Sequence, residues 1–255
     1  MKIGSIAAAA TFCLMLLLEQ GLTAEAAEVK VLSASATRLV MNEISPQFER
    51  ATRHKLVIKF ETVGLLKRQI DGGETFDVAI LTPSLIDDLV KEGKIAAGTR
   101  ADIARSGLGV FVRTGAPKSD ISSPDAFKRT MLNAKSISYS KGGVTDTYIT
   151  SLFKRLGIAE QMKSKIKYTS AGGYLQVVAK GEAELALATI SSFEPMPGVE
   201  LLGPFPPELQ HYATYTAGIG ASAKEGEAGK ALIKFLKGPS AVPVLKAKGM
   251  EPMNP

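Results

Sequence analysis

The chain has one cysteine in 255 residues, no tryptophan and two histidines. The cysteine, Cys13, lies inside an apolar run over residues 6–18, too early for a lipid-attached cysteine at a cleavage site. Past that run there is no thiol, which excludes a disulfide framework, a thiol nucleophile and a thiolate metal site. His54 and His211 stand far apart and give no paired metal ligands. A G-x-S-x-G motif and an ordered Ser/His/Asp signature are also missing. Without tryptophan there is no indole platform for stacking sugars. Basic runs interleaved with aromatics are absent, so nucleic acid is not an expected partner. No later stretch reaches the ~20 apolar residues that a membrane span requires.

What is present begins with an export signal. Lys2 forms a short positive region, residues 6–18 an apolar one, and Ala24 and Ala26 an A-x-A pair. This pattern reads as a secretory signal peptide over residues 1–27, removed on export to the periplasm. Its loss would leave about 228 of the 255 residues, enough for one large domain or two small ones. Removing Lys2, Glu19 and Glu25 would leave 30 basic and 23 acidic residues, a formal charge of +7. A positive balance favours anionic small molecules or simply solubility.

Strand and helix patterns alternate along the rest. Strands are expected at 29–32, 55–62, 76–81, 108–112, 136–139, 166–169, 185–189, 199–202 and 212–220. Between them lie helical spacings, the first over 37–52, where Pro46 is expected to kink or divide the helix. Such alternation predicts α/β layers with mostly parallel sheets, whose ligands sit beyond the carboxyl ends of strands.

Four strand ends carry small, hydroxyl or glycine-rich turns, at 33–37, 62–64, 140–145 and 170–173. The first N–H groups of a helix have no partner within it, and the helix dipole is positive there. A strand running through such a turn into a helix is therefore suited to hold an anion. Ser35 or Thr37 could equally serve as an N-cap. Two of the turns fall in each half of the chain, so two lobes could bring all four to one cleft.

Several blocks together resemble one family: VKVLSASAT at 29–37, FETVGLLKRQIDGGETFDVAIL at 60–81, LIDDLVKEGKI at 85–95, LGVFVRTGAP at 108–117 and ALIKFLKGPSAVPVLKAKG at 231–249. The chain is similar to the periplasmic solute-binding proteins of the type II fold, most of all to the molybdate-binding proteins of ABC transporters. The resemblance covers nearly the whole exported chain. It implies two α/β lobes, each a mostly parallel sheet flanked by helices, joined by two crossing strands that act as a hinge. Residues 28–107 with 218–255 would form one lobe and 108–217 the other. The crossings would fall near 107–112 and 212–220.

The family's ligand positions carry over to Ser33, Ala34, Ser35 and Ala36 in the first turn, with Ala36 at the usual serine position. Thr62, Val63 and Gly64 form the second, where many members have Ser-Ser or Ser-Gly. Val144, Thr145 and Asp146 form the third, and Ala171, Gly172 and Gly173 the fourth. Thr189 stands at the position of the family's tyrosine ligand. Asp146 would repel a fully charged anion or accept a proton from the ligand; as a helix cap it would do neither. Arg38, Lys67 and Arg68, early in their helices, could reach a carboxylate or lie on solvated faces.

These features imply a monomeric binding component, with no cofactor, that captures a molybdate-like oxyanion or small carboxylate for a membrane permease. The alternative is a periplasmic enzyme on the same scaffold, an isomerase or lyase acting on a small carboxylate. Acid–base chemistry would then rest on His54, His211, Asp146, Tyr139, Tyr148 or Tyr174.

Overall fold

A computed structural model describes residues 26–142, 144–170, 173–193 and 195–253. The proposed signal peptide lies almost wholly outside these residues. Ten strands are joined into one curled sheet with helices packed around it. No helix among the described residues is long and apolar enough to cross a membrane.

Strand β1 (Glu28–Ala34) is the centre of the first half. It pairs in parallel with β2 (Lys55–Glu61) on one side and β3 (Val78–Leu81) on the other. Helix α1 (Arg38–Thr52) returns over this sheet, with Val40, Met41, Ile44 and Phe48 buried at helical spacing. Of the two expected outcomes, division does not occur: the helix runs unbroken through Pro46. Pro46 lacks only the N–H that would reach Asn42, and both residues are exposed, so water can satisfy the freed carbonyl. Ser45 meanwhile donates its hydroxyl to Met41 O at 2.5 Å. Helices α2 (Val63–Asp71) and α3 (Pro83–Lys91) follow β2 and β3 directly.

The long strand β4 (Ala101–Arg113) links the two halves. The apolar stretch 108–112 pointed only to its second part; residues 101–107 alternate more weakly. Over Ala101–Gly107 it pairs with β9 (Tyr212–Ile219), which also pairs with β3. Over Leu108–Val112 it pairs with β7 (Leu185–Thr189), and over Gly109–Arg113 with β8 (Val199–Pro204). Beyond β7 lie β5 (Ile137–Ser140) and β6 (Ile166–Thr169), in parallel pairings. Parallel pairing thus occupies the two ends of the sheet. Every antiparallel pair involves β4 or β9, including that of the short strand β10 (Glu251–Pro252) with β4.

The second half adds α4 (Pro124–Asn133), α5 (Val144–Arg155), α6 (Ala159–Lys163) and α7 (Gly173–Ala179). Helices α8 (Gly226–Lys237) and α9 (Ala241–Ala247) close the chain. The buried apolar residues form one cluster from 29–104 and 213–250 and two from 108–209. The second and third meet at β4, whose alternate residues Val110 and Phe111 face opposite sides of the sheet.

Candidate functional site

The ends of β1, β2, β5 and β7 deliver hydroxyls to one place. β1 runs into a 3-10 turn, Ser35–Thr37, and then into α1. Neither Ser35 nor Thr37 caps a helix with its side chain. The Thr37 hydroxyl donates to Ala34 O at 2.8 Å and shares a 2.6 Å hydrogen bond with Ser33. That pair is buried and fixes the turn from behind, which leaves the Ser35 hydroxyl facing outward. At the end of β2, Thr62 is the N-cap of α2 by position, with extended backbone, yet its hydroxyl makes no capping bond. Its carbonyl alone accepts from Leu65 and Leu66, each at 3.0 Å.

These turns form one wall of a narrow cavity of about 30 Å³. Ala34, Ser35, Ala36, Thr62 and Val63 line it from the first half; Ser140, Thr145, Tyr174, Leu187, Ala188, Thr189 and Ser192 line it from the second. Seven of these side chains carry hydroxyls, and none is an Asp, Glu, Lys, Arg or His. The Tyr174 phenol donates to Ser192 Oγ at 2.7 Å, and Ser192 donates to Thr189 O at 2.7 Å. Burial pushes the Tyr174 phenol up from its ordinary pKa, so it stays protonated and remains a donor at neutral pH. Because no carboxylate among the described residues lines the cavity, an anion entering it meets dipoles and neutral donors there.

The halves also touch directly. Gly64 N–H donates to Gly142 O at 3.2 Å across the cavity rim. Gly142 N–H donates in turn to Asp146 Oδ2 at 2.8 Å. Asp146 is thus folded back onto the turn preceding its own helix and does not line the cavity.

Of the remaining residues singled out in the sequence, Ser33 lies behind the first turn, bonded to Thr37. Gly64 faces a separate, hinge-side cleft, and Gly173 a wider one described below. Val144 opens α5; its side chain, like Ala171 and Gly172, lies outside the described residues. Lys67 is tied to Asp71 and Glu92 at 2.7 and 3.0 Å. His54 accepts from Ala27 N through Nδ1 and stacks on Phe48, a structural role. His211 stacks on Tyr148 with ring centroids 4.4 Å apart, away from the hydroxyls. Tyr139 is enclosed, and among the described residues its hydroxyl has no partner.

Of these lining hydroxyls, the sequence reading marked Ser140 only as part of the turn at 140–145 and Tyr174 only as a proton-transfer candidate, and it did not single out Ser192. Tyr174 and Ser192 arrive from the first turn of α7 and from the 3-10 turn Ile190–Ser192, and neither element has a distinctive local pattern. Together they bring a phenol to the Thr189 wall, where residue 189 itself supplies none.

A wider cleft of about 590 Å³ adjoins the cavity and shares Ser35, Tyr174 and Ser192 with it. Among the described residues, no cluster of His, Cys, Asp and Glu could hold a metal ion.

A family model described as bacterial extracellular solute-binding protein matches residues 29–251. Among curated proteins, an aconitate isomerase from Pseudomonas sp is 31% identical over 229 residues, covering 88% of this chain and 87% of the relative. Molybdate-binding protein ModA of Azotobacter vinelandii is also 31% identical, over 233 residues, covering 89% of this chain and 90% of the relative. The solved Azotobacter vinelandii periplasmic molybdate-binding protein superposes with a TM-score of 0.72 at 21% identity, over 88% of this chain and 98% of that one.

Proposed function

Because this chain belongs to the bacterial extracellular solute-binding proteins, we propose that it captures a small anion in the hydroxyl-lined cavity between its two halves. The observation that carries this reading is the lining itself: seven hydroxyls from both halves and no charged side chain. Hydroxyl donors to an anion contribute roughly 1.5–3 kcal/mol each. Four of them would supply the 8 kcal/mol or so of a micromolar binder. The scarcity of cations keeps such a site reversible, as a carrier must be.

On this reading residues 28–107 with 212–255 and residues 108–211 act as two lobes that close on the ligand; residues 212–217, which the resemblance placed in the second, pack in the first cluster and pair with β3 and β4. β4 and the 205–211 segment between β8 and β9 serve as the hinge. The protein works in the periplasm after cleavage of its signal peptide and hands the anion to an ABC permease. The names of the molybdate-binding relatives support this assignment.

A thermal-shift panel of molybdate, tungstate, sulfate, phosphate and small carboxylates tests it. A ligand at 100 times its Kd adds about 2.7 kcal/mol of stability. Ser35→Ala with Thr62→Ala should abolish the shift. No shift with any anion overturns the proposal.

The aconitate isomerase relative favours a second reading, turnover of a carboxylate in the same cavity. Such chemistry needs a group that exchanges a proton near neutral pH. Among the described residues the titratable side chain lining the cavity is Tyr174, and burial moves its phenol away from that range. Binding without turnover is therefore the better-supported reading. Incubating the protein with cis- and trans-aconitate and following their interconversion by NMR separates the two.

A further inference from the structure

We propose that the ligand is an organic polyanion, a short-chain di- or tricarboxylate, with one carboxylate in the hydroxyl cavity and a second on Arg38. This rests on the reading of the cavity as an anion site and specifies what that anion is. The cavity of about 30 Å³ is small beside the adjoining cleft of about 590 Å³. It is sized for one anionic group and not for a whole organic acid. It shares the wall formed by Ser35, Tyr174 and Ser192 with the wider cleft of about 590 Å³, which has room for the remainder.

Arg38 lines that wider cleft, and among the described residues no Asp or Glu lines either space. The guanidinium carbon stands over the Phe60 ring, 4.5 Å from its centroid. This contact restrains the long side chain, and a guanidinium fork can grip a carboxylate through two bonds. Among the described residues Arg38 has no acidic partner within ion-pair distance, whereas Lys67 and Lys94 are already neutralised by Asp71 and Glu92.

Spacing completes the argument. Ser35 begins the 3-10 turn and Arg38 follows three residues later. One 3-10 turn rises by about 6 Å. Both residues line the wider cleft, where a short carbon chain bearing a carboxylate at each end could bridge them. A tetrahedral oxyanion in the inner cavity carries its whole charge on one centre and has no second anionic group to extend to Arg38.

Isothermal titration of the purified protein with acetate, succinate, tricarballylate and molybdate tests this, alongside Arg38→Gln and Arg38→Lys. Arg38 is exposed, so both variants should fold; far-UV circular dichroism and melting confirm it. Succinate or tricarballylate should bind at least tenfold tighter than acetate and molybdate. Arg38→Gln should weaken the polycarboxylates tenfold or more and leave acetate unchanged, with Arg38→Lys between the two. Molybdate or acetate binding as tightly as tricarballylate overturns the inference while sparing the anion site. So does Arg38→Gln altering all ligands alike, or none. Absence of binding by every anion overturns both readings.

Discussion

Gly64 and Gly142 face each other across the cleft, joined by an N–H···O bond of 3.2 Å between the start of α2 and the turn before α5. A Cβ on Gly64 would stand 3.1 Å from Gly142 O, a backbone atom that can retreat only by opening the cleft. Gly64→Ala should therefore weaken ligand affinity by about tenfold, or 1.4 kcal/mol. It should alter the melting temperature of the ligand-free protein little, since alanine is a better helix former than glycine. Titration and melting of the same variant check the two halves of this expectation. Equal losses in both would show that the contact matters for folding and not for closure.

Tyr174→Phe removes the one phenol in the cavity and its donation to Ser192. If the phenol turns to the anion on binding, the loss should be about 1.5–3 kcal/mol of affinity, a factor of roughly 10–100. Tyr174→Phe with Ser192→Ala should then cost little more than Tyr174→Phe alone, because the two hydroxyls act as one chain. A double-mutant cycle on ligand affinity measures this.

Ligand binding should be flat in pH between about 6 and 9. The lining hydroxyls of Ser and Thr do not titrate in this range, and among the described residues no His, Lys or carboxylate lines the cavity. Tyr174 is the remaining group, and burial raises its pKa above the ordinary tyrosine value. A raised phenol stays a donor below that pKa and becomes a repelling phenolate only above it, so affinity should fall only in strongly alkaline solution. Titrations across the range, with a ligand whose own charge is constant, would expose a mid-range step. Such a step would point to a titrating group reaching the ligand.

The strand-to-helix turns at Ser35 and Thr62 were legible in the sequence because strand, small residue and helix follow one another locally. The strand at 108–112 was legible through its unbroken apolar run, whereas its extension back to Ala101 was hidden by the mixed polarity of residues 101–107. Ser192 and Tyr174 could not be read in the same way. Their roles arise from β7 meeting α7 in space, between residues eighteen positions apart, which local periodicity does not encode. Asp146 shows the opposite failure. Its position next to the third turn was visible, but only the fold shows its carboxylate spent on Gly142.

Asp77 gives a prediction about stability that leaves binding untouched. It is 4% exposed at the start of β3, far from the lining of the cavity. Its Oδ2 accepts from Lys30 N at 2.8 Å, and its Oδ1 accepts from Lys224 N and Glu225 N at 2.8 and 3.0 Å. One carboxylate thus ties β1 to the segment that opens α8, residues nearly two hundred positions apart in the chain. Asp77→Ala strands three backbone donors together. Leaving one buried donor unsatisfied costs about 1–3 kcal/mol, so the variant should lose at least that much, some of it recovered where water reaches Lys224 and Glu225. Asp77→Asn keeps one acceptor oxygen and should lose less. Denaturant melts rank the two variants, and ligand titration of whichever remains folded should return the wild-type affinity. A large change in affinity would mean that the β1 and α8 positions set the shape of the first turn, and with it the height of Ser35 above the cavity.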